Sequence, residues 1–249
     1  MAETALDLAP LTDDPPLDVI AVGAHPDDIE IACGGTLARL AEQGHCVGII
    51  DLTDGEPTPA SSGPEQRLAE ARRAAEVLGV ARRVTLDLPN RRLFDSFEAR
   101  VALAREFRRC RPRLVIGLSG ATPTASPDHY QAGLMIEAAV FYSKLTKWDE
   151  YFAGTPPYTI PRLLQCSLGF SRISPFDRGA MVVDIGGTLE KKMEAIACYQ
   201  SQFPPAKLHY LDRIRAFAVQ QGMAAGFSAG ELLTSPIAWG THDLMGLLF

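Results

Sequence analysis

The stretch LDVIAVG, residues 17–23, runs directly into AHPDD, residues 24–28. The first part has the length and apolar character of one buried strand, and the polar residues come where that strand should end. Open α/β sheets bind their ligands beyond the carboxyl ends of their strands. We therefore expect a strand over 17–23, with His25, Asp27 and Asp28 in a functional site at its end.

Strand and helix patterns alternate through the first half of the chain. The strand segments are apolar throughout, as in Val47-Gly48-Ile49-Ile50, which is typical of strands covered by helices on both faces. Such alternation indicates βαβ units, and we predict the α/β class, with a Rossmann-like layered fold built on a mainly parallel sheet flanked by helices. The expected strands are 17–23, 46–52, 83–87 and 113–118, and the expected helices are about 34–44, 65–78 and 97–110.

The second half has a less regular pattern but no segment that reads as a linker between domains. We expect a single domain over 17–249, preceded by a flexible tail over 1–16, which is acidic and contains three prolines. The elements predicted after residue 120 are helices at about 128–145, 188–201 and 208–225, and strands near 162–170 and 180–184.

The composition favours a small-molecule partner. The net charge is −6, which argues against nucleic acid or an anionic membrane as the main partner. No apolar run reaches the roughly 18 residues that a membrane span needs. The five cysteines are scattered without a C-x-x-C pair, as expected of reduced thiols in the cytoplasm.

His25, Asp27 and Asp28 point to metal chemistry. A His and an Asp three residues apart can both reach one divalent metal, which leaves Asp27 to move a proton to or from water. Adjacent carboxylates repel each other unless a cation or hydrogen-bond donors compensate. The alternative is that His25 is an ordinary hydrogen-bonding loop residue.

A second polar cluster, Ser126-Pro127-Asp128-His129, follows the fourth predicted strand. Because the carboxyl ends of parallel strands share one edge, His129 can approach His25 and Asp28. Three protein ligands with an open position form a catalytic zinc site, and Fe²⁺ or Co²⁺ would also suit such ligands. In the alternative interpretation, Asp128 only favours the helix N-terminus and His129 only packs there.

These motifs resemble the LmbE/PIG-L superfamily of zinc-dependent N-acetylsugar deacetylases. The resemblance implies that His25, Asp28 and His129 bind zinc, that Asp27 is the general base, and that Asp128 orients a neighbouring catalytic histidine. The chain looks most like the branch that deacetylates N-acetylglucosaminyl-malate in bacillithiol biosynthesis. The residues that carry the resemblance are Ala24-His25-Pro26-Asp27-Asp28, Gly34-Gly35-Thr36, Leu52-Thr53-Asp54-Gly55-Glu56, Pro127-Asp128-His129, Val182-Val183-Asp184-Ile185, Lys191-Lys192-Met193 and Tyr199-Gln200-Ser201-Gln202-Phe203.

Ser126 departs from the superfamily pattern, which usually reads His-Pro-Asp-His at this motif. The first His of that motif is thought to stabilise the oxyanion or to protonate the leaving amine. A serine hydroxyl can donate a hydrogen bond to an oxyanion, but it is a poor proton donor near neutrality. We favour Asp27 as the group that carries the proton instead; His209 and His242 are alternatives.

Three further residues are candidates for binding substrate. Glu56 follows the second strand and could hold substrate hydroxyls, although Asp54-Gly55 could equally form only a turn there. Arg91 and Arg92 follow the third strand, where a guanidinium could bind a substrate carboxylate such as that of malate.

Three other features have simpler interpretations. The basic run 108–113 is expected to be the solvated C-terminal end of a helix. Gly34-Gly35 is expected to let the chain approach the metal loop closely. The apolar end Leu247-Leu248-Phe249 is expected to pack into the core or into a subunit interface, and we predict a homo-oligomer.

The sequence therefore predicts a zinc-dependent hydrolase that removes the N-acetyl group from an N-acetylglucosamine-type conjugate. Two alternatives stay open. One is a catalytically weakened homologue that binds metal and sugar, and the other is a hydrolase of a different N-acyl or ester substrate.

Overall fold

Strand β1 lies at the centre of a five-stranded parallel sheet with the order β3-β2-β1-β4-β5. In the computed structural model, residues 15–123, 125–168, 180–238, 240, 242–243 and 245 are described. The strands are β1 (Val19–Gly23), β2 (Val47–Asp51), β3 (Arg82–Thr85), β4 (Leu114–Leu118), β5 (Arg162–Cys166), β6 (Met181–Asp184) and β7 (Gly230–Leu233). The helices are α1 (Asp28–Glu42), α2 (Pro64–Leu78), α3 (Phe97–Cys110), α4 (Asp128–Tyr142), α5 (Leu189–Ala197) and α6 (His209–Met223).

The predicted α/β class and the mainly parallel sheet flanked by helices are confirmed. All five residues of β1 are buried, and Val22 aligns with Ile50 on one side and with Gly117 on the other. Right-handed crossovers place α1 and α2 on one face of the sheet and α3 and α4 on the other. Strands β2 and β3 are added on one side of β1, and strands β4 and β5 on the other. The order of the strands therefore reverses between β1 and β4, and such a switch point is where open sheets place a ligand.

Strands β6 and β7 form a separate antiparallel pair, joined to the edge of the main sheet by a bridge between Gln165 and Thr234. Strand β7 was not predicted. The predicted strand over 162–170 ends at Cys166, and residues 169–170 lie outside the described residues, as do most of the predicted tail and all of Leu247-Leu248-Phe249.

Helix α1 begins at Asp28, six residues before its predicted start. It is interrupted at Cys33, whose φ of −146° is not helical. The glycines that follow, Gly34 and Gly35, lie inside the helix. A Cβ on Gly35 would come within 2.7 Å of Ile185, so this glycine allows close approach to the segment after β6 and not to the metal loop as predicted.

A buried ion pair forms hydrogen bonds to the main chain of α1 at its interruption. The carboxylate of Glu231 in β7 accepts hydrogen bonds from the N–H groups of Gly35 (3.0 Å) and Thr36 (2.6 Å). The ammonium of Lys192 in α5 lies 2.6 Å from Glu231 and donates to the carbonyl of Ile31 at 2.8 Å. The carboxylate of Glu231 thus satisfies two main-chain N–H groups at the interruption, and the ammonium of Lys192 satisfies a main-chain carbonyl.

Lys192→Met is expected to destabilise the protein by about 3–5 kcal/mol, because it leaves the carboxylate of Glu231 buried without its cation. Urea unfolding measures the effect. Lys191→Met is the matched control, since Lys191 makes an exposed ion pair with Glu42 that should contribute at most about 1 kcal/mol. Equal effects of the two substitutions would contradict this account of α1.

The basic run 108–113 is not solvated throughout as predicted, because Arg108 is buried. Its guanidinium is buried, lies 3.5 Å from the centre of the Phe152 ring, and donates to the carbonyls of Ser143, Leu145 and Thr155. It therefore ties the end of α3 to the segment after α4. None of the helices in the described part of the chain combines the length and apolar character that a bilayer crossing requires.

Candidate metal centre and active site

Three side chains from two neighbouring strand ends form a compact cluster. His25 lies in the loop after β1, Asp28 is the first residue of α1, and His129 lies in the first turn of α4. One ligand atom from each lies within 4.8 Å of the others. The structure thus brings together the three residues predicted to bind metal, because β1 and β4 are neighbours with the same direction.

Asp28 is the centre of this cluster. Its Oδ2 accepts hydrogen bonds from the main-chain N–H groups of Ala24 (3.0 Å) and His25 (2.9 Å), which fixes the loop after β1. Its Oδ1 lies 3.3 Å from Nε2 of His129, and its Oδ2 lies 3.4 Å from Nδ1 of His25. Burial opposes ionisation, but the two imidazoles outweigh it and hold the pKa of Asp28 well below its usual range.

His25 is held from its other side by Asp128. Nε2 of His25 lies 3.2 Å from Oδ2 of Asp128, and the same oxygen accepts the N–H of Arg91 at 2.6 Å. In the metal-free protein, burial disfavours the imidazolium, but the carboxylates of Asp28 and Asp128 raise the pKa of His25 to about 10. Asp128 therefore orients a histidine of the cluster itself, in the arrangement that carboxylates adopt behind metal-binding histidines.

His129 is held from its other side by a hydroxyl. Its Nδ1 lies 2.8 Å from Oγ1 of Thr122, in the loop between β4 and α4. Its ring meets that of His25 edge to face, with 5.2 Å between the centres. Each histidine therefore has one nitrogen engaged outside the cluster and the other turned toward Asp28. Two imidazole nitrogens and a carboxylate are a donor set that suits zinc or iron.

Asp27 lies beside the cluster in a strained conformation. Its φ is 110°, in the left-handed region that non-glycine residues rarely adopt. In the metal-free protein, burial raises the pKa of Asp27 to about 7; the guanidinium of Arg67 opposes this rise, and the carboxylate of Asp28 adds to it. A carboxyl group with a pKa near neutrality can both take up and release a proton.

Arg67 is a site residue that the sequence analysis missed. It lies in α2, is only 1% exposed, and donates to the carbonyl of Pro26 at 2.5 Å. Its Nη2 lies 3.9 Å from Oδ1 of Asp27, and its Nε lies 3.9 Å from Oε1 of Glu56. The guanidinium thus lies between the expected general base and one of the candidate substrate residues.

The residues around Glu56 form the turn that the sequence analysis offered as an alternative. Oδ1 of Asp54 accepts the N–H of Glu56 at 2.8 Å, and the hydroxyl of Thr53 accepts that of Gly55 at 3.1 Å. Oε2 of Glu56 accepts the N–H of Thr58, and Oε1 faces Arg67. The carboxylate is therefore held in place at the edge of the site.

Ser126 begins the second motif in the turn that precedes α4. Its Oγ accepts the N–H of Asp128 at 3.3 Å, in the first turn of α4. The two alternative proton donors, His209 and His242, are both exposed, and His209 stacks on its neighbour Tyr210.

Arg91 and Arg92 are exposed in the loop between β3 and α3. Arg91 has a φ of 62°, and its main chain, not its guanidinium, contacts Asp128. This contact ties the loop that carries both arginines to the start of α4.

Comparisons with known proteins match this chain to deacetylases. A family model described as PIG-L, GlcNAc-PI de-N-acetylase, matches residues 20–140. The diacetylchitobiose deacetylase of Thermococcus kodakarensis is 32% identical over 223 residues, which cover 86% of this chain and 80% of that protein. A conserved protein of Thermus thermophilus has a solved structure that aligns with a TM-score of 0.78 at 32% identity, over 90% of this chain and 97% of that one.

The same fold also carries a different reaction. The 4-carboxy-2-hydroxymuconate hydratase GalB of Pseudomonas putida aligns with a TM-score of 0.73 at 23% identity, over 91% of this chain and 98% of that one. At this identity the likeness concerns the fold alone. The reaction must therefore be argued from the side chains of the site.

Proposed function

Because the chain belongs to the PIG-L family of deacetylases, we propose that it removes the N-acetyl group from an N-acetylglucosamine-type sugar conjugate. As a member of this family it is an amide hydrolase. The observation that carries the proposal is the cluster of His25, Asp28 and His129 with the carboxyl group of Asp27 beside it. The proposal takes residues 17–249 as one deacetylase domain.

The cluster fits a divalent metal, and we propose zinc, with Fe²⁺ and Co²⁺ as chemically suitable replacements. His25, Asp28 and His129 would hold it, and Asp128 and Thr122 already engage the outer nitrogens of the two histidines. When bound, such an ion polarises the acetamide carbonyl and lowers the pKa of water.

Asp27 is the proton carrier in this proposal. It takes a proton from the water that attacks the acetamide carbon, and it delivers a proton to the nitrogen as the carbon–nitrogen bond breaks. One carboxyl group acts in the same double role in zinc deaminases. The products are acetate and a free amino sugar.

Negative charge develops on the carbonyl oxygen of the substrate, which becomes an oxyanion when water attacks. Ser126 is a candidate donor to it, because an oxygen that accepts one hydrogen bond from Asp128 can still donate its own proton. A main-chain N–H could serve in the same way.

The finer proposal is that the substrate is a small conjugate with an acidic aglycone, N-acetylglucosaminyl-malate of bacillithiol biosynthesis. The exposed guanidinium groups of Arg91 and Arg92, on the loop that contacts Asp128, support it. The proposal also places the enzyme in the cytoplasm, where its five free cysteines would stay reduced. It further takes the enzyme to be a homo-oligomer, and light scattering that gives the mass of a monomer would contradict this.

The substrate panel that tests the proposed function contains N-acetylglucosaminyl-malate, N,N′-diacetylchitobiose and N-acetylglucosamine. Release of free amine is followed for zinc-loaded protein, chelated protein and His129→Ala. We expect zinc-dependent release from at least one conjugate and none from His129→Ala. No release from any of the three, with zinc bound, would instead favour a different acyl substrate or a binding protein.

Arg91→Ala and Arg92→Ala are expected to lower kcat/KM for the malate conjugate by about 10- to 100-fold, the effect of losing a hydrogen bond to a charged group worth about 1.5–3 kcal/mol. The rate with diacetylchitobiose, which has no carboxylate, should change little. Arg162→Ala, at the exposed start of β5, is the control for loss of a surface charge. Equal losses with both substrates would refute a role in carboxylate recognition.

One observation favours a second candidate function. With Ser126 in the place of the family's usual histidine, the site could bind metal and sugar while turning over poorly. The metal cluster would then serve recognition. Ser126→His separates the two functions, because it restores an imidazole at this position.

A further inference from the structure

Thr122 contacts a residue of the metal cluster and has no part in the mechanism above. It lies in the loop between β4 and α4 and is half-buried. Its Oγ1 lies 2.8 Å from Nδ1 of His129 and 3.4 Å from the carbonyl oxygen of Ser126. One hydroxyl therefore joins a cluster histidine to the main chain at the start of the second motif.

The chemistry of imidazole gives this contact a direction. A neutral imidazole carries one N–H and one lone pair, and a metal needs the lone pair. Nε2 of His129 is the nitrogen that faces Asp28, at 3.3 Å. If Nε2 binds the metal, the proton of His129 must be on Nδ1, where it needs an acceptor.

Thr122 provides that acceptor and passes the hydrogen bond on. In that tautomer, Nδ1–H of His129 would donate to Oγ1 of Thr122 across 2.8 Å, and the hydroxyl of Thr122 would donate to the carbonyl of Ser126 across 3.4 Å. An imidazole N–H, a hydroxyl and a carbonyl can each take the donor or acceptor role that this series of hydrogen bonds requires. The reverse arrangement, in which Thr122 donates to Nδ1, would put the proton on Nε2 and block metal binding.

We propose that Thr122 is a positioning residue that accepts the Nδ1 proton of His129 when the ion is bound, and so holds the ring with the lone pair of Nε2 toward the metal. This inference rests on the metal centre of the proposed function, but it concerns binding and not turnover. The two histidines of the cluster would then be oriented by different groups. Asp128 supports His25 with a full negative charge, whereas Thr122 supports His129 with a neutral hydroxyl.

The hydroxyl has a property that a carboxylate lacks, because it can donate as well as accept. In the metal-free protein, Nε2–H of His129 can donate to Oδ1 of Asp28 while Thr122 donates to Nδ1. Rotation of one hydroxyl therefore satisfies His129 both with and without the ion.

Zinc affinity tests the proposal independently of activity. Apo-protein is titrated with zinc in competition with a chromophoric chelator, for the wild type, Thr122→Val and Thr122→Ser. Valine keeps the shape of threonine without the hydroxyl, and serine keeps the hydroxyl. We expect zinc binding to weaken by about 10- to 100-fold in Thr122→Val, as is common for lost partners of metal-binding histidines, and to stay near the wild type in Thr122→Ser.

Thermal unfolding of the apo-proteins separates positioning from folding, since a purely structural role would lower Tm without a specific loss of zinc affinity. If Thr122→Val fails to fold, ¹⁵N spectra of histidine-labelled, zinc-loaded wild type decide the question. We expect the proton of His129 on Nδ1. A proton on Nε2, or wild-type zinc affinity in Thr122→Val, would overturn the proposal.

His129→Ala distinguishes this inference from the function it rests on. If zinc binds tightly and depends on His129 but no amide is hydrolysed, the deacetylase function fails while the role of Thr122 is still measured. If zinc affinity does not depend on His129, the metal centre and the role of Thr122 are both refuted.

Discussion

Asp27→Asn is expected to lower kcat by about 10²- to 10⁴-fold, the contribution typical of a positioned general acid or base. The amide has nearly the size of the carboxyl group but cannot accept a proton from water. Asparagine also tolerates positive φ better than most residues, so the left-handed backbone at this position should be preserved. The expected loss is therefore chemical and not conformational.

The measurement is the steady-state rate of deacetylation alongside the bound zinc of the same preparation. Asp87→Asn, at an exposed aspartate after β3, controls for the loss of a surface carboxylate. If Asp27→Asn bound zinc normally and kept most of its rate, another group would have to carry the proton.

Ser126→His should raise the deacetylation rate by about 10²- to 10⁴-fold if the missing imidazole limits proton delivery to the amine. An imidazole has a pKa near neutrality and can protonate the leaving nitrogen, which a serine hydroxyl cannot do efficiently. The new side chain would enter in the turn before α4, two residues before Asp128 and three before His129.

Ser126→Ala accompanies this variant as a control for loss of the hydroxyl. It removes the acceptor of the Asp128 N–H, and it removes a donor that could face the oxyanion. A rate in Ser126→His no higher than in Ser126→Ala, with zinc bound in both, would show that the departure from the family motif is not what limits turnover.

The sheet and the metal cluster were predictable because both depend on local patterns. Each apolar strand is followed by the polar residues it positions, and parallel pairing brings the ends of β1 and β4 to the same edge. The shared edge of parallel strands is therefore enough to predict that His129 can approach His25 and Asp28, whereas the direct pairing of β1 with β4 was not predicted.

Helix α1 shows where local patterns mislead. The His-Pro-Asp-Asp segment reads as a loop and Gly34-Gly35 as a helix boundary, yet the helix begins at Asp28 and continues past the glycines. The main-chain groups at its interruption bond to an acceptor in β7, Glu231, and to a donor in α5, Lys192, and Glu231 lies nearly 200 residues away in the sequence. Such a long-range contact leaves no mark in the local periodicity.

Arg67 and Arg108 show that a charged residue in an apolar pattern can be informative. Arg67 shares one face of α2 with Ala71, Ala74 and Leu78, at helical spacing, and all four are buried. A cation on such a face predicts a buried anionic or carbonyl partner. No sequence signal identified Thr122, because its role comes from a loop conformation that brings its hydroxyl to His129.

The most direct test of the account is a zinc titration of metal-free protein in which bound zinc and acetate release are followed together. We predict that release is absent without metal, rises in proportion to the zinc bound by His25, Asp28 and His129, and is lost in His129→Ala. Full activity in the metal-free protein, or undiminished activity in His129→Ala, would contradict the claim that this cluster is the catalytic metal centre.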